Sequence, residues 1–314
     1  MTMLIHLLQA LIIILGAPLL RGVVSKMKAR IQRRQGASIW RPYAELGKLF
    51  RKEDLVPPLA SPVFRMAPRI VFSATAVAAL LIPVFQPSAL LGGPGDFLLL
   101  VYTLALARFF LVLGAMDGGG AFGGMGGSRE VLVSALAEAP LLLGLTALGI
   151  VSRSTQLTGI VDWTLRQNFF DVSAVHILAF AALAMVAMAE TGRIPVDNPT
   201  THLELTMIHE AMVLEHSGPS LAFLEWANAV KLALISSLLI GLFIPWGMAT
   251  EASLFSIALA AVAYLAKVFA LALLLAVVES SIAKMRMYAV PDFLGVASGA
   301  GVLAVVFTVF GGRS

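Results

Sequence analysis

The stretch Asp96-Phe-Leu-Leu-Leu-Val-Tyr-Thr-Leu-Ala-Leu-Ala-Arg108-Phe-Phe-Leu-Val-Leu-Gly-Ala-Met116 carries one charge between its ends. Roughly 20 apolar residues in a helix cross the ~30 Å hydrocarbon layer of a bilayer. The stretch therefore reads as a membrane helix with an arginine near mid-depth. Similar windows recur at 3–24, 66–85, 130–151, 172–190, 223–246, 253–280 and 293–310. About eight transmembrane helices are predicted. The first lacks the basic start and small-residue cleavage site of a signal peptide and reads as a retained span.

Composition agrees. Of 314 residues, 59% are hydrophobic and 13% charged, against about 25% charged in soluble domains. Mean hydropathy is +0.91. A soluble enzyme and a disordered chain are both excluded. The expectation is an all-α polytopic membrane protein, one membrane domain over 1–314, with a cytoplasmic amphipathic helix. There is no cysteine, so this chain can hold no disulfide, thiolate metal site or iron–sulfur cluster. The five histidines at 6, 176, 202, 209 and 216 supply a metal site poorly, and none is expected. No internal repeat is visible, which argues against an inverted-repeat transporter.

Loop charge sets the orientation. The segment from Arg21 to Arg69 holds 12 of the 22 basic residues. The positive-inside rule puts this segment and the loop 191–222 in the cytoplasm, with both termini on the far side. Lys26, Arg30, Arg33 and Arg34 fall on about one helical face. Trp40-Arg-Pro42-Tyr-Ala-Glu45-Leu-Gly-Lys48-Leu-Phe50 follows. Pro42 suits a first helical turn, and Tyr43, Leu46, Leu49 and Phe50 form an apolar stripe. The loop 25–65 reads equally as a lipid-contacting segment and as a docking platform for a soluble partner. Nucleic acid is not expected.

Ionisable groups at membrane depth are costly and point to function. Arg108, Glu130, Glu138, Glu190, Lys231, Lys267 and Glu279 fall within or at the ends of spans, and Glu204, Glu210, Glu215 and Glu225 follow in the second long loop. Internal ion pairs, such as a glutamate with Arg108 or Lys231, would explain some of them. The excess of carboxylates over cations suggests a proton path. Glu204 and Glu215, if on one helix, would share a face, with His202, His209 and His216 nearby. Pro195 and Pro199 interrupt any helix there. Irregular backbone near a membrane must face protein or water, so a cavity or interface is predicted.

Ala189-Glu190-Thr-Gly-Arg193-Ile-Pro195-Val-Asp197, Glu204-Leu205 and Glu215-His-Ser217-Gly218 resemble the long loop of the complex I heel subunit, NADH dehydrogenase subunit 1. Arg30, Arg33, Arg34, Gly36, Ala44, Glu45, Lys48 and Leu49 match its first loop. Arg108-Phe-Phe110, Asp117-Gly118, Ser128-Arg129-Glu130 and Glu138-Ala-Pro140 resemble the formate hydrogenlyase subunit 4 family, of the membrane-bound [NiFe] hydrogenases. Departures are Val196 for Phe, His216 for Tyr and the non-acidic run 198–202.

The resemblance implies a non-catalytic anchor and proton-coupling subunit. Its partners would be a hydrogenase-like large subunit, an iron–sulfur small subunit, antiporter-like membrane subunits and lipid. The nickel–iron centre and clusters would sit in those partners. Glu130, Glu138, Glu190, Asp197, Glu204 and Glu215, with Arg108 and Lys231, would form the proton path. Arg30, Arg33, Arg34, Glu45, Lys48 and Arg193 would face the soluble arm. The alternatives are a quinone-site heel subunit of a complex I-like oxidoreductase, a stand-alone ion transporter and a purely structural anchor.

Overall fold

The structure, a computed structural model, describes residues 2–93, 96–167, 173–197, 207–250 and 253–311. The chain runs α1 (Thr2–Ile31), α2 (Arg41–Leu49), α3 (Pro62–Ala79), α4 (Phe97–Asp117), α5 (Ala121–Ser152), α6 (Leu157–Arg166), α7 (Ala174–Glu190), α8 (His209–Val213), α9 (Gly218–Phe243), α10 (Leu254–Ser281) and α11 (Val290–Gly311). Among the described residues, six helices are long and apolar enough to cross a membrane: α1, α4, α5, α9, α10 and α11. The shorter apolar α7 and the 18-residue α3 pack among them, consistent with about eight.

Side-chain caps define several starts. Ser61 accepts from Val63 N, Asp96 from Leu99 N, Ser173 from His176 N and Ser253 from Ser256 N. Each satisfies an amide that the helix leaves open. α9 threads the centre and is the most enclosed span, whereas α10 and α11 are largely peripheral. Phe255, Val262 and Phe269 on α10 face outward, as suits lipid or a membrane partner.

Three expectations need correction. α1 ends at Ile31, and Arg33 adopts a left-handed φ of 58°. Arg33 and Arg34 therefore leave the helical face shared by Lys26 and Arg30. α5 begins at Ala121, so Glu130 lies inside the helix rather than at its start. α3 stops at Ala79, and its continuation is buried irregular chain: Leu81, Ile82, Val84 and Phe85 are at most 2% exposed.

Gln9 on α1 explains how that irregular chain is tolerated. Its Oε1 accepts from the amides of Val84, Phe85 and Gln86, and its Nε2 donates to Ser88 O. Ala249 N donates to Phe85 O from the irregular segment after α9. Buried backbone groups away from water need partners of this kind. These contacts sit at one end of the bundle with α6. The basic segment, α2 and α8 sit at the other, and the site described next reaches from there to about the middle of α4 and α9.

Candidate functional site

Four helices deliver charge to one buried point. Arg108 Nη1 on α4 lies 2.5 Å from Glu190 Oε1 at the end of α7. Lys231 Nζ on α9 lies 2.8 Å from Glu190 Oε2. Glu130 on α5 lines the same cavity of about 50 Å³, with Thr191, His209 and Asn228. One carboxylate thus meets two cations, and a second carboxylate stands in the same space. With Glu130 ionised the four charges sum to zero. With Glu130 protonated they sum to plus one.

A second knot lies beside it. Glu279 near the end of α10 is 4% exposed and binds Arg193 at 2.9 Å and Lys28 at 3.1 Å. This ties α1, α10 and the turn after α7 together. The knot lines a cavity of about 360 Å³ that shares Thr191 and Asn228 with the buried one. A third cavity of about 380 Å³ lies along α2, lined by Glu45, Lys48, Glu210 and the Arg21–Glu225 ion pair. The roof helix α2 is held by Tyr43 Oη, which donates to Leu15 O at 2.5 Å, and by Phe50 edge-on to Phe223 and Trp226.

Asp197 organises the second long loop. It binds Lys284 at 3.1 Å and accepts from the amides of Ile208 and His209 at 3.3 Å each. The Glu215–Gly218 motif clasps the two loops. Glu215 lies against Gly118 and Gly120. Ser217 and Leu55 exchange hydrogen bonds, and Ser220 donates to Asp54 at 2.6 Å. Gly218 has φ +51°, and a Cβ there would fall 2.3 Å from Glu53 O, so this position requires glycine.

His216 stacks on Phe64 with ring centroids 4.0 Å apart. Burial pulls its imidazole down to about 4, against the weaker opposing pull of Asp54. Burial also lowers His209, where Glu225 acts in the opposite sense.

The predicted residues thus divide. Arg108, Glu130, Glu190 and Lys231 converge, and Asp197 holds the adjoining loop. Glu138 is two turns further along α5, rotated about 80° from Glu130, and does not line that cavity. Glu215 lies beyond the five-residue α8, in the loop clasp. Glu204 and His202 lie outside the described residues. Arg30, Arg33, Arg34, Glu45 and Lys48 are exposed, whereas Arg193 turns inward to Glu279. Lys28, Asn228, Lys284 and Arg21 were missed as site members, and Glu225, expected in the second long loop, lies inside α9 and pairs with Arg21. Glu225 and Asn228 precede Lys231 on α9 at three-residue steps, a signal readable in the sequence. Among the described residues, no group of three or more His, Asp or Glu side chains could hold a metal ion.

The profile of the family described as NADH dehydrogenase matches residues 3–309. The chain is 32% identical to hydrogenase-4 component C of Escherichia coli, over 96% of this chain and 95% of that protein. It is 31% identical to formate hydrogenlyase subunit 4 of the same organism, over 98% of each. A subunit of the NADH-quinone oxidoreductase of Thermomicrobium roseum is 29% identical over 71% of this chain and 70% of that one. The fold is similar to a chain of the membrane-bound sulfane sulfur reductase, an archaeal respiratory membrane complex. There the TM-score is 0.82 at 22% identity, covering 96% of this chain and 99% of that one. The chain is therefore a multi-pass membrane protein of the NADH dehydrogenase family.

Proposed function

We propose that this chain is the membrane anchor and proton-coupling subunit of a formate hydrogenlyase-type, complex I-like hydrogenase. The observation that carries the reading is the convergence of Arg108, Glu130, Glu190 and Lys231 from four helices on one small cavity. Uptake of a proton at Glu130 changes the net charge of that cluster by one. In a low-dielectric site such a change acts strongly on its neighbours. Electron transfer in a soluble arm docked on the basic end would drive it. Asp197 and the Glu279 knot would tie the docking loops to the cluster, with Glu204 and Glu215 as further members of the path. Glu138 would pass the change onward along α5 towards antiporter-like membrane partners. The exposed Arg30, Arg33, Arg34, Glu45 and Lys48 would meet the arm, and Arg193 would order the turn behind it. The nickel–iron centre and iron–sulfur clusters belong in that arm, and the membrane is a prokaryotic inner membrane.

The second reading, quinone reduction by a complex I-like complex, is favoured by the two larger cavities along α2, which have room for a ring-sized headgroup. Metal analysis of the complex purified in mild detergent separates the two. Nickel with iron supports the hydrogenase, and iron without nickel supports the quinone reading. The coupling role is tested by Glu130→Gln in sealed vesicles carrying the complex. Assembly and dye-linked redox turnover should persist while proton translocation is lost. Normal translocation would sink the role.

A further inference from the structure

His209 lines the buried cavity, and its chain neighbour Glu210 lines the outer one. α8 seats on α5 over Gly126, where a Cβ would fall 2.9 Å from both Ala211 Cβ and Ile208 O. The His209 amide donates to Asp197, which fixes where the ring enters. That ring lines the buried cavity of Arg108, Glu130, Glu190 and Lys231. The next residue, Glu210, lines the outer cavity with Arg21 and Glu225. Opposite, α9 carries Glu225, Asn228 and Lys231 from one cavity to the other, rising about 4.5 Å per three-residue step. Among the described residues, His209 Nε2 is buried and has no hydrogen-bond partner. Native structures rarely leave such an atom idle, and it calls for an explanation.

We propose that His209 passes protons at Nε2 between the outer cavity of Glu210 and Glu225 and the buried carboxylates Glu130 and Glu190. This rests on the proton-coupling reading above. The ring takes a proton from the outer side, stands as imidazolium, and gives that proton to the Glu130 carboxylate through water in the cavity that both line. No other bond changes, and the ring returns to neutral. Glu225 and Asp197 favour the charged ring; Arg21 and Lys231 oppose it, as does burial. Glu130, Glu190 and Arg108 complete the charges around the cavity it lines. The resting ring is therefore neutral at neutral pH and able to accept.

The test uses sealed vesicles carrying the intact complex, with His209→Gln and Glu130→Gln beside wild type. Dye-linked redox turnover and proton translocation are read together. We expect His209→Gln to keep turnover and to lose translocation by about a hundredfold or more, the usual range for removing a proton-transfer group. In His209→Ala, added imidazole should restore part of the translocation, which a merely structural ring would not show. Uncoupling by Glu130→Gln with normal coupling in His209→Gln overturns the proposal and leaves the coupling role standing. Normal coupling in both overturns both. If His209→Gln fails to assemble, His209→Ala decides: imidazole-restored translocation supports the proposal, and no response overturns it.

Discussion

Arg108 and Glu190, 82 residues apart in the chain, are joined 2.5 Å apart with side chains 8% and 3% exposed. Lys231 shares the same carboxylate. The pair bridges α4 and α7, and Lys231 adds a charged contact from α9 to the same α7 carboxylate. Among the described residues neither cation has another carboxylate as its ion-pair partner, so Glu190 is the residue on which the cluster depends.

Glu190→Gln should therefore leave two buried cations against a neutral amide. Removing one partner from a buried pair costs about 3–5 kcal/mol. Lys231→Met should cost less, because Arg108 still neutralises Glu190. Thermal unfolding of the detergent-solubilised complex checks the order. Equal losses for the two variants would show that the shared carboxylate is not the dominant contact.

Glu279 gives a parallel case at the edge of the site. With Gln in its place, Lys28 and Arg193 would face each other without a countercharge. α10 touches mainly α1, and this knot also ties it to the loop after α7. Hydrogen exchange across residues 191–197 should speed up in Glu279→Gln and change less in Lys28→Met. Unchanged exchange in Glu279→Gln would mean that Asp197 with Lys284 suffices to hold the turn.

Most of the bundle was legible because apolar length is a strong signal. The failures share a cause. α6 is a short amphipathic helix of ten residues, too brief for a span window. The buried chain after Ala79 looks apolar enough to continue α3, and only the distant Gln9 makes its irregular path tolerable. In the site, Arg108, Glu130, Glu190 and Lys231 stood out because charge at membrane depth is rare. Lys28 did not, because it sits in a basic run where each residue looks like surface. Its partner Glu279 is 251 residues away, and no local pattern encodes that pairing.

His216 predicts an acid limb in stability. In the unfolded chain its ring takes a proton near its ordinary 6.5, whereas in the fold it does so only at about 4. Between these values the unfolded state binds more protons, so stability rises with pH across the window. The contribution is complete above 6.5 and falls away as pH drops towards 4, with an amplitude of roughly 3 kcal/mol. His216→Phe preserves a ring against Phe64 and has no proton to take up. Melting temperatures from pH 4 to 7.5 should show a shallower acid limb for this variant. Parallel curves would place the acid sensitivity in other groups.

Arg33 and Arg34 test the docking surface without disturbing the charge cluster. Both are exposed beyond the end of α1, and neither has an ion-pair partner among the described residues. Exposed substitutions usually change folding stability by less than about 0.5 kcal/mol. The double change Arg33→Glu, Arg34→Glu should therefore leave the membrane chain folded while reversing the charge it offers to a soluble arm. Screening acts over about 10 Å at 0.1 M salt, so wild type should also release the arm more readily as salt rises. The measurement is the amount of soluble arm retained on washed membranes at low and high salt. If the double variant holds its arm as wild type does at both, this basic segment serves lipid contact and the docking surface lies elsewhere.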